Sequence, residues 1–421
     1  MSVALIAGCL LAPLTSARAG AGFGIFDART LAMGGTSVAS ANNDNAQFYN
    51  SALLAFNHEI EERTQDSRFW FPLLVPQVSD SAITAEHLLQ KFDRSSISNA
   101  VQVFNDTQDM QSAQDLARTF SRLDSYLRQL ADEDLTSDVY IGTAVSEPGR
   151  FQGAGFFFGA RVLGGGVTAV SGADRATLAA YEEGLAFVAS GGTEGAPHPE
   201  LFDANGALIS PAGGFDSTMA AAGVVVVEAG VAMSGQFHPF GRSLAAGLTF
   251  KVQSLYTFED SESVIENRID VGRNSDYQGD LNFDLGIAKD LGDHWRVGLA
   301  AKDIIPHNYV TSLGTVIRMR PHARLGVAYR ADRFQLAADA DLNKNEPIGF
   351  EGPTQELAIG GEWTVSEPVR LRAGYRYDLQ GNRAGIVSLG AGALWGRFAL
   401  DLAYATGRDT RAMALQAGYA F

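Results

Sequence analysis

From about residue 136 to the C-terminus, polar and apolar residues alternate with a period of two. Arg370, Arg372, Arg376 and Asp378 alternate with Val369, Leu371, Tyr375 and Tyr377. Arg318, Arg320, His322 and Arg324 alternate with Ile317, Met319, Leu325 and Val327, and Asp276, Gln278, Asp280, Asn282 and Asp284 with Leu281, Phe283, Leu285 and Ile287. Phe398, Leu400, Leu402 and Tyr404 alternate with Ala399, Asp401 and Ala403. One face is greasy and the other is charged or small, the dyad repeat of a transmembrane strand. The pattern predicts an antiparallel β-barrel of about 14 strands. The expected spans are 60–77, 136–147, 150–170, 219–237, 242–259, 275–290, 293–304, 316–330, 333–342, 355–365, 368–379, 384–395, 397–407 and 411–421.

The connections sort into two kinds. Alternate ones are tight, such as Glu147-Pro148-Gly149-Arg150, His238-Pro239-Phe240-Gly241 and Trp395-Gly396-Arg397; the longest of the others are 78–135 and 171–218. Short turns at one end and long loops at the other fit an outer-membrane barrel, and an even strand count places both termini at the short-turn end. Trp295, Trp363, Trp395, Phe240, Phe334 and Phe398 fall at or near the short turns, as an interfacial girdle does.

Between Thr36 and Ile141 there is no glycine, although the whole chain carries 46. Within that stretch Met110, Ala113, Ala117, Phe120, Leu123, Leu127 and Leu130 recur at spacings of three and four, which predicts an amphipathic helix. With a shorter helical candidate over 84–92, residues 80–134 read as a helical insertion in the barrel. The rival reading, a soluble all-β sandwich, would put the six arginines at 318, 320, 324, 370, 372 and 376 on the solvent face of one sheet and leave the loop asymmetry without a cause.

Net charge is -16, so nothing supplies the basic stripe that nucleic acid needs. The single cysteine is Cys9, which leaves the remainder without a disulfide, a thiolate metal site or a redox pair. Val3 to Leu14 is an apolar run followed by Ala17-Arg18-Ala19, an A-x-A pattern, so 1–19 reads as a signal peptide. It has no Lys or Arg before the apolar run. A lipoprotein box at Ile6-Ala7-Gly8-Cys9 is the alternative, but Leu10 to Leu14 stays apolar where a polar tether is needed. There is no G-x-S-x-G, H-E-x-x-H or Walker pattern, and the seven histidines are scattered, so no enzyme activity, cofactor or metal is expected.

Ala28 to Ala55 reads ARTLAMGGTSVASANNDNAQFYNSALLA. This segment resembles the N-terminal hatch of the FadL/TodX superfamily of hydrophobic-compound transporters, in which a small, Gly/Ala-rich stretch leads to an Asn-Pro-Ala signature. The matching residues are Phe48, Tyr49, Asn50, Ser51, Ala52 and Leu53, with Ser51 where the family has Pro. Met33-Gly34-Gly35, Asn50-Ser51-Ala52-Leu53-Leu54 and Trp70-Phe71-Pro72-Leu73-Leu74 are more similar still to the barrel proteins called conjugal transfer protein TraF. The name is shared with an unrelated thioredoxin-like protein; this chain has no C-x-x-C.

The resemblance implies a hatch over 20–57 inside a barrel over 58–421. It also implies a kinked third strand with a lateral exit, for which Gly164, Gly165 and Gly166 are the candidates. It further implies passive uptake of a hydrophobic ligand. The alternative is a surface structural or interaction role in plasmid transfer, resting on the TraF likeness and the large loops. With the apolar face toward lipid, the lumen is expected to hold a charge ladder of Arg318, Arg320, Arg324, Arg370, Arg372, Arg376, Asp280 and Asp284, most of them paired across strands. One or two unpaired Arg would suit a carboxylate head group. Tyr419 and Phe421 end an outward-facing strand, the signal read by the barrel-assembly machinery. The expected partners are therefore outer-membrane lipid, that machinery and a hydrophobic small molecule. The expected state is a monomer in the cell outer membrane.

Overall fold

The computed structural model describes residues 22–56, 67–131, 133–192, 197–238, 244–265, 275–311, 314–346, 348 and 352–421. The expected leader and the tight turn at 239–241, with Phe240, lie outside the described residues. The strands are β1 Arg68–Ser79, β2 Asp134–Glu147, β3 Gln152–Ala169, β4 Thr218–Phe237, β5 Leu244–Ser263, β6 Ser275–Leu291, β7 Trp295–Lys302, β8 His307–Val310, β9 Val316–Met319, β10 His322–Arg330, β11 Phe334–Asp341, β12 Glu356–Ser366, β13 Val369–Asp378, β14 Ile386–Trp395, β15 Phe398–Thr406 and β16 Thr410–Ala420. All but β8 and β9 form one closed antiparallel barrel of 14 strands, in which β1 closes on β16 from Arg68↔Ala420 to Ser79↔Thr410.

The alternation read from the sequence is the alternation of the wall. On β14, Val387, Leu389 and Trp395 face outward, while Ser388 faces inward and is buried. Leu389 is 61% exposed and Trp395 88%. The outward band includes Met233 on β4, Phe250 and Val252 on β5, Leu281 and Leu285 on β6, Ile359 on β12 and Leu402 on β15, all exposed. In water such a band would drive aggregation. On a closed barrel, whose ladder leaves no unpaired edge, it matches hydrocarbon. At the short-turn rim Tyr329 lies against Trp295 (5.0 Å) and Phe334 (5.9 Å), and Phe398 against Tyr419 (5.2 Å).

At the long-loop end the chain builds a helical cap: α2 Asp80–Lys91, α3 Arg94–Thr107, α4 Met110–Leu130 and α5 Gly172–Ala189; α1 is the short Ala28–Ala32 of the N-terminal segment. Ser79, Asp93, Asp109 and Ser171 cap the four cap helices through backbone N–H groups of their first turns. On α4 the buried face is Ala113, Leu116, Phe120, Leu123, Leu127 and Leu130, whereas Met110, at the first position, is exposed. Phe120 meets Tyr181 of α5 at 5.1 Å.

Four expectations are corrected. The single strand over 316–330 is broken at Pro321, which has no N–H to carry a ladder. Val316–Met319 instead pairs only with His307–Val310 in a separate hairpin. Arg318 and Arg320 therefore leave the barrel wall: Arg318 is half exposed, 3.8 Å from Glu346, and Arg320 donates to the His307 carbonyl (2.9 Å) and Asn308 Oδ1 (2.6 Å). The segment 171–218, expected as a loop, contains α5. Alanine and glycine are frequent in it, and Leu178, Tyr181 and Leu185 are the large apolar residues that mark the buried face. The segment between the two expected helices is α3, whose Ser- and Asn-rich sequence hides Ile97, Val101 and Phe104. Finally, Gly164–Gly166 open no gap in the pairing of β3. Its ladders to β2 and β4 run unbroken through these three residues.

Candidate functional site: a hatch seated in the lumen

Residues 22–56 fold inside the barrel. Residues 28–41 and 44–56 are buried throughout, so the segment fills the lumen at its level. Asp27 starts it: its carboxylate accepts from Thr30 N (2.8 Å) and Thr30 Oγ1 (2.9 Å), capping α1, and from the Tyr49 hydroxyl (2.6 Å). Tyr49 in turn accepts from Phe26 N (2.8 Å), which ties the two ends of the hatch together.

Asn50 organises the second half. It caps the 3-10 turn Ser51–Ala55 through Ala52 N (3.2 Å), and its amide donates to Val38 O (2.8 Å) and to Ile287 O of β6 (3.1 Å). Ser51 is the first residue of that turn, where a proline ring is sterically at home. The turn is therefore held here by the Asn50 side chain without the family's proline.

The hatch meets the wall in two chemically different ways. Toward β7 and β10–β16 the contacts are ionic and polar. Arg29 donates to Glu362 (3.0 Å), the Ser40 carbonyl (2.8 Å) and Gln335 (3.2 Å). Asp339 accepts from the backbone N–H groups of Ser37 (2.7 Å) and Val38 (2.9 Å). Gln416 accepts from Ala28 N at 3.1 Å, and Lys302 donates to the carbonyls of Phe23 (3.2 Å) and Phe48 (3.0 Å). Toward β2 and β3 the side-chain contacts are mostly aromatic, beside bonds from Gly149 N to Leu54 O (2.9 Å) and from Arg161 to Gly22 O (3.4 Å). Phe26 meets Tyr140 edge-on (5.0 Å), and Phe48 stacks on Phe26 (5.5 Å) and lies against Phe157 (4.9 Å).

Glycines in the wall permit the close fit. A Cβ at Gly374 would stand 2.2 Å from Gly34 N, at Gly360 2.2 Å from Met33 O, at Gly286 2.1 Å from Asn50 Oδ1, and at Gly153 2.3 Å from Leu54 O. Gly34 is left-handed (φ 71), so it meets the wall with backbone alone. Part of the chain's glycine excess is thus the inner surface of a socket.

Around the hatch, lumenal charges pair with one another. Arg324 reaches Asp341 (2.6 Å) and Glu356 (2.9 Å), and His322 lies 3.0 Å from Asp341. Arg372 reaches Glu362 (2.6 Å) and Asp401, and Arg376 reaches Gln77 (3.0 Å) and Glu356 (3.6 Å). Asp284 meets Lys251 at 2.8 Å, and Asp280 lies 3.6 Å from His307. Arg370 borders a small crevice with Arg372 and Asp401 near the short-turn rim. A cavity of about 80 Å³ lies between Phe23, Arg161, Glu356 and Arg376, room for a few waters.

Of the residues singled out from sequence, Phe48 to Leu53 are brought together in the hatch, and Arg324, Arg372, Arg376, Asp280 and Asp284 face the lumen. Arg318 and Arg320 do not. Tyr419 faces outward and Phe421 is exposed at the short-turn rim, its N–H bonded to Ser67 O at 3.0 Å. Sequence reasoning missed Arg29, Asp27 and Lys302. Arg29 could have been found as the one cation of the stretch 22–56.

No curated protein matches the sequence. Among solved structures the chain is similar to a FadL homologue of Pseudomonas aeruginosa (12% identity, 95% of this chain and 99% of that one, TM-score 0.46). It is also similar to the CymD monoaromatic hydrocarbon channel (10% identity, 94% and 97%, TM-score 0.45) and to the toluene transporter TodX of Pseudomonas putida (12% identity, 94% and 97%, TM-score 0.41). The family model described as "F plasmid transfer operon, TraF, protein" matches residues 47–341, well over half of the chain, and takes in the end of the hatch from Gln47, the helical cap and the wall as far as β11. The chain belongs to that TraF family.

Proposed function

We propose that this chain is a gated outer-membrane channel for passive uptake of hydrophobic small molecules. The observation that carries this reading is the asymmetry of the hatch. Its buried ion pair to Glu362 and the bonds to Asp339, Gln335, Gln416 and Lys302 lie on β7, β11, β12 and β16, whereas its aromatic contacts, Phe26 and Phe48 with Tyr140 and Phe157, lie on β2 and β3. No hatch residue joins the strand ladder. A plug outside the strand ladder, joined to the wall by point contacts such as Gly149 N to Leu54 O (2.9 Å), is separable from it, and its aromatic boundary is where an apolar molecule competes for the same surface. The exposed apolar band and the aromatic rim support an outer-membrane setting.

The test is uptake of radiolabelled toluene by cells that lack their own hydrocarbon channel. Expression of this chain is expected to raise the initial rate, and Phe48→Ala to change it. Equal rates with and without a folded, membrane-inserted barrel would overturn the proposal.

A second reading is favoured by the cap, where four helices stand on the long-loop rim of a protein of the TraF family. It is a contact surface in plasmid transfer. Removing 80–133 would then lower mating frequency and leave toluene uptake unchanged.

A further inference from the structure

We propose that the β8–β9 hairpin is a latched lid occupying a binding surface for an apolar molecule on the lumen face of β3–β5. The inference rests on the uptake reading and names where its cargo would sit before the hatch.

The lumen face of β3–β5 carries the charges Arg161, Glu228 and Lys251, and on their long-loop side an apolar patch. Leu163 pairs across to Val224, and Val226 to Leu255. All four turn inward and form one cluster with Tyr309, Ile317 and Met319 of the hairpin and with Ile348. The hairpin belongs to the connection between β7 and β10, yet it crosses the mouth to reach β3–β5.

Two fixed points explain that path. At the base, Asp303 takes a left-handed backbone (φ 54); its N–H donates to Asp284 (2.8 Å) and its carboxylate accepts from Lys251 (2.6 Å). Asn282 then exchanges two bonds with the Ile305 backbone (3.0 and 3.1 Å). At the far end, Thr311 and Thr315 donate their hydroxyls to the two oxygens of Glu259 on β5, at 2.6 and 2.8 Å.

Between these points the strands of the hairpin pair only with each other. A two-stranded ribbon of four residues a side is marginal on its own and depends on what it covers. Its three apolar side chains fill the place of an uncharged apolar ligand. The Glu259 latch sets how often they leave it.

The test uses the full-length chain in a Cys9→Ala background, with a single thiol introduced as Val226→Cys beneath the hairpin. The probe is a membrane-impermeant maleimide applied to the purified, detergent-solubilised barrel. The variant Thr311→Val/Thr315→Val breaks the latch without changing side-chain volume. Because each broken bond is to a charged acceptor, labelling is expected to accelerate roughly tenfold or more. Glu259→Gln, and Leu255→Cys as the thiol site, provide a second pair should the first fail to fold.

Equal labelling rates with the latch intact and broken, in a barrel whose urea-unfolded form labels fully, would overturn the lid. The ligand surface is read separately by photolabelling with adamantyl diazirine. Increased insertion at Leu163, Val224 or Leu255 in the unlatched variant is expected. Insertion confined to the outer face would overturn the binding surface. Neither measurement depends on uptake, so a failure here is distinct from a failure of the channel reading.

Discussion

Arg29 of the hatch and Glu362 of β12 form an ion pair at 3.0 Å, both side chains being nearly withdrawn from solvent. Glu362 is also held by Arg372 at 2.6 Å, so the wall half of the pair is fixed before the hatch arrives. Removing Arg29 leaves a buried carboxylate with one cation instead of two. Breaking a buried pair by removing one partner costs about 3–5 kcal/mol. Arg29→Ala is therefore expected to unseat the hatch while the barrel persists. In planar bilayers the variant should show larger and noisier ion currents than the parent, and its hatch should be cut faster by added protease. Unchanged currents would mean that the remaining contacts suffice to hold the plug.

The socket makes a steric prediction. Gly374 presents no side chain to Gly34, and a Cβ there would stand 2.2 Å from the Gly34 nitrogen, backbone that cannot swing aside. Gly374→Val should produce a barrel that inserts and resists heat but carries a displaced hatch. The control is Gly279→Val, whose nearest neighbour would be the end of Tyr277 at 3.4 Å. Heat-modifiability on gels reports the barrel and bilayer current reports the hatch. Only the first variant is expected to separate the two.

The contrast between wall and socket also explains what was legible in the sequence. Lipid outside and polar lumen inside impose alternation on each strand, so the barrel and its strand spans follow from local pattern. Position 34 and position 374 lie on unrelated segments, and no local signal connects a glycine in one to a glycine in the other. Ile317 and Met319 misled for a different reason. They alternate with Arg318 and Arg320 in the same way whether they face lipid or fold into the mouth, and only Pro321 marks the break. The hatch was located through resemblance at Phe48 to Leu53; its wall partners Asp339 and Lys302 required the fold.

Ser51 offers a test of how the hatch turn is held. Asn50 is extended (φ -145, ψ 94), outside the α region that a following proline disfavours, and Ser51 opens the 3-10 turn. Ser51→Pro is thus compatible with the native backbone and would restrict the unfolded chain. The expected effect is a gain of about 0.4–1 kcal/mol in hatch stability. Asn50→Ala should act in the opposite direction, since it removes the bonds to Ala52 N, Val38 O and Ile287 O. Hydrogen exchange of residues 46–56 should slow in the first variant and accelerate in the second. The same sign for both would contradict the assignment of the turn to the Asn50 side chain.

The cap carries a pH dependence of its own. His198 bridges Glu183 of α5 (3.1 Å) and Glu200 (3.0 Å). The hydrogen bond to Glu183, and then that to Glu200, raise the imidazole above the ordinary histidine value. A group with a raised folded pKa binds its proton more tightly in the folded state. Its stabilising contribution is complete below the ordinary histidine value and is lost as pH rises through the raised one. Glu200 runs the other way: its own backbone N–H and then His198 hold it below the usual glutamate range, so its contribution fails only in acid. Between mildly acidic and mildly alkaline pH, His198 therefore decides the outcome. The segment 197–201 should loosen from α5 as pH rises through the raised His198 value, and His198→Gln should abolish that dependence. Hydrogen exchange of 197–201, corrected for the intrinsic pH dependence of exchange, provides the readout. Protection that stays constant with pH in the parent would remove His198 as the cause.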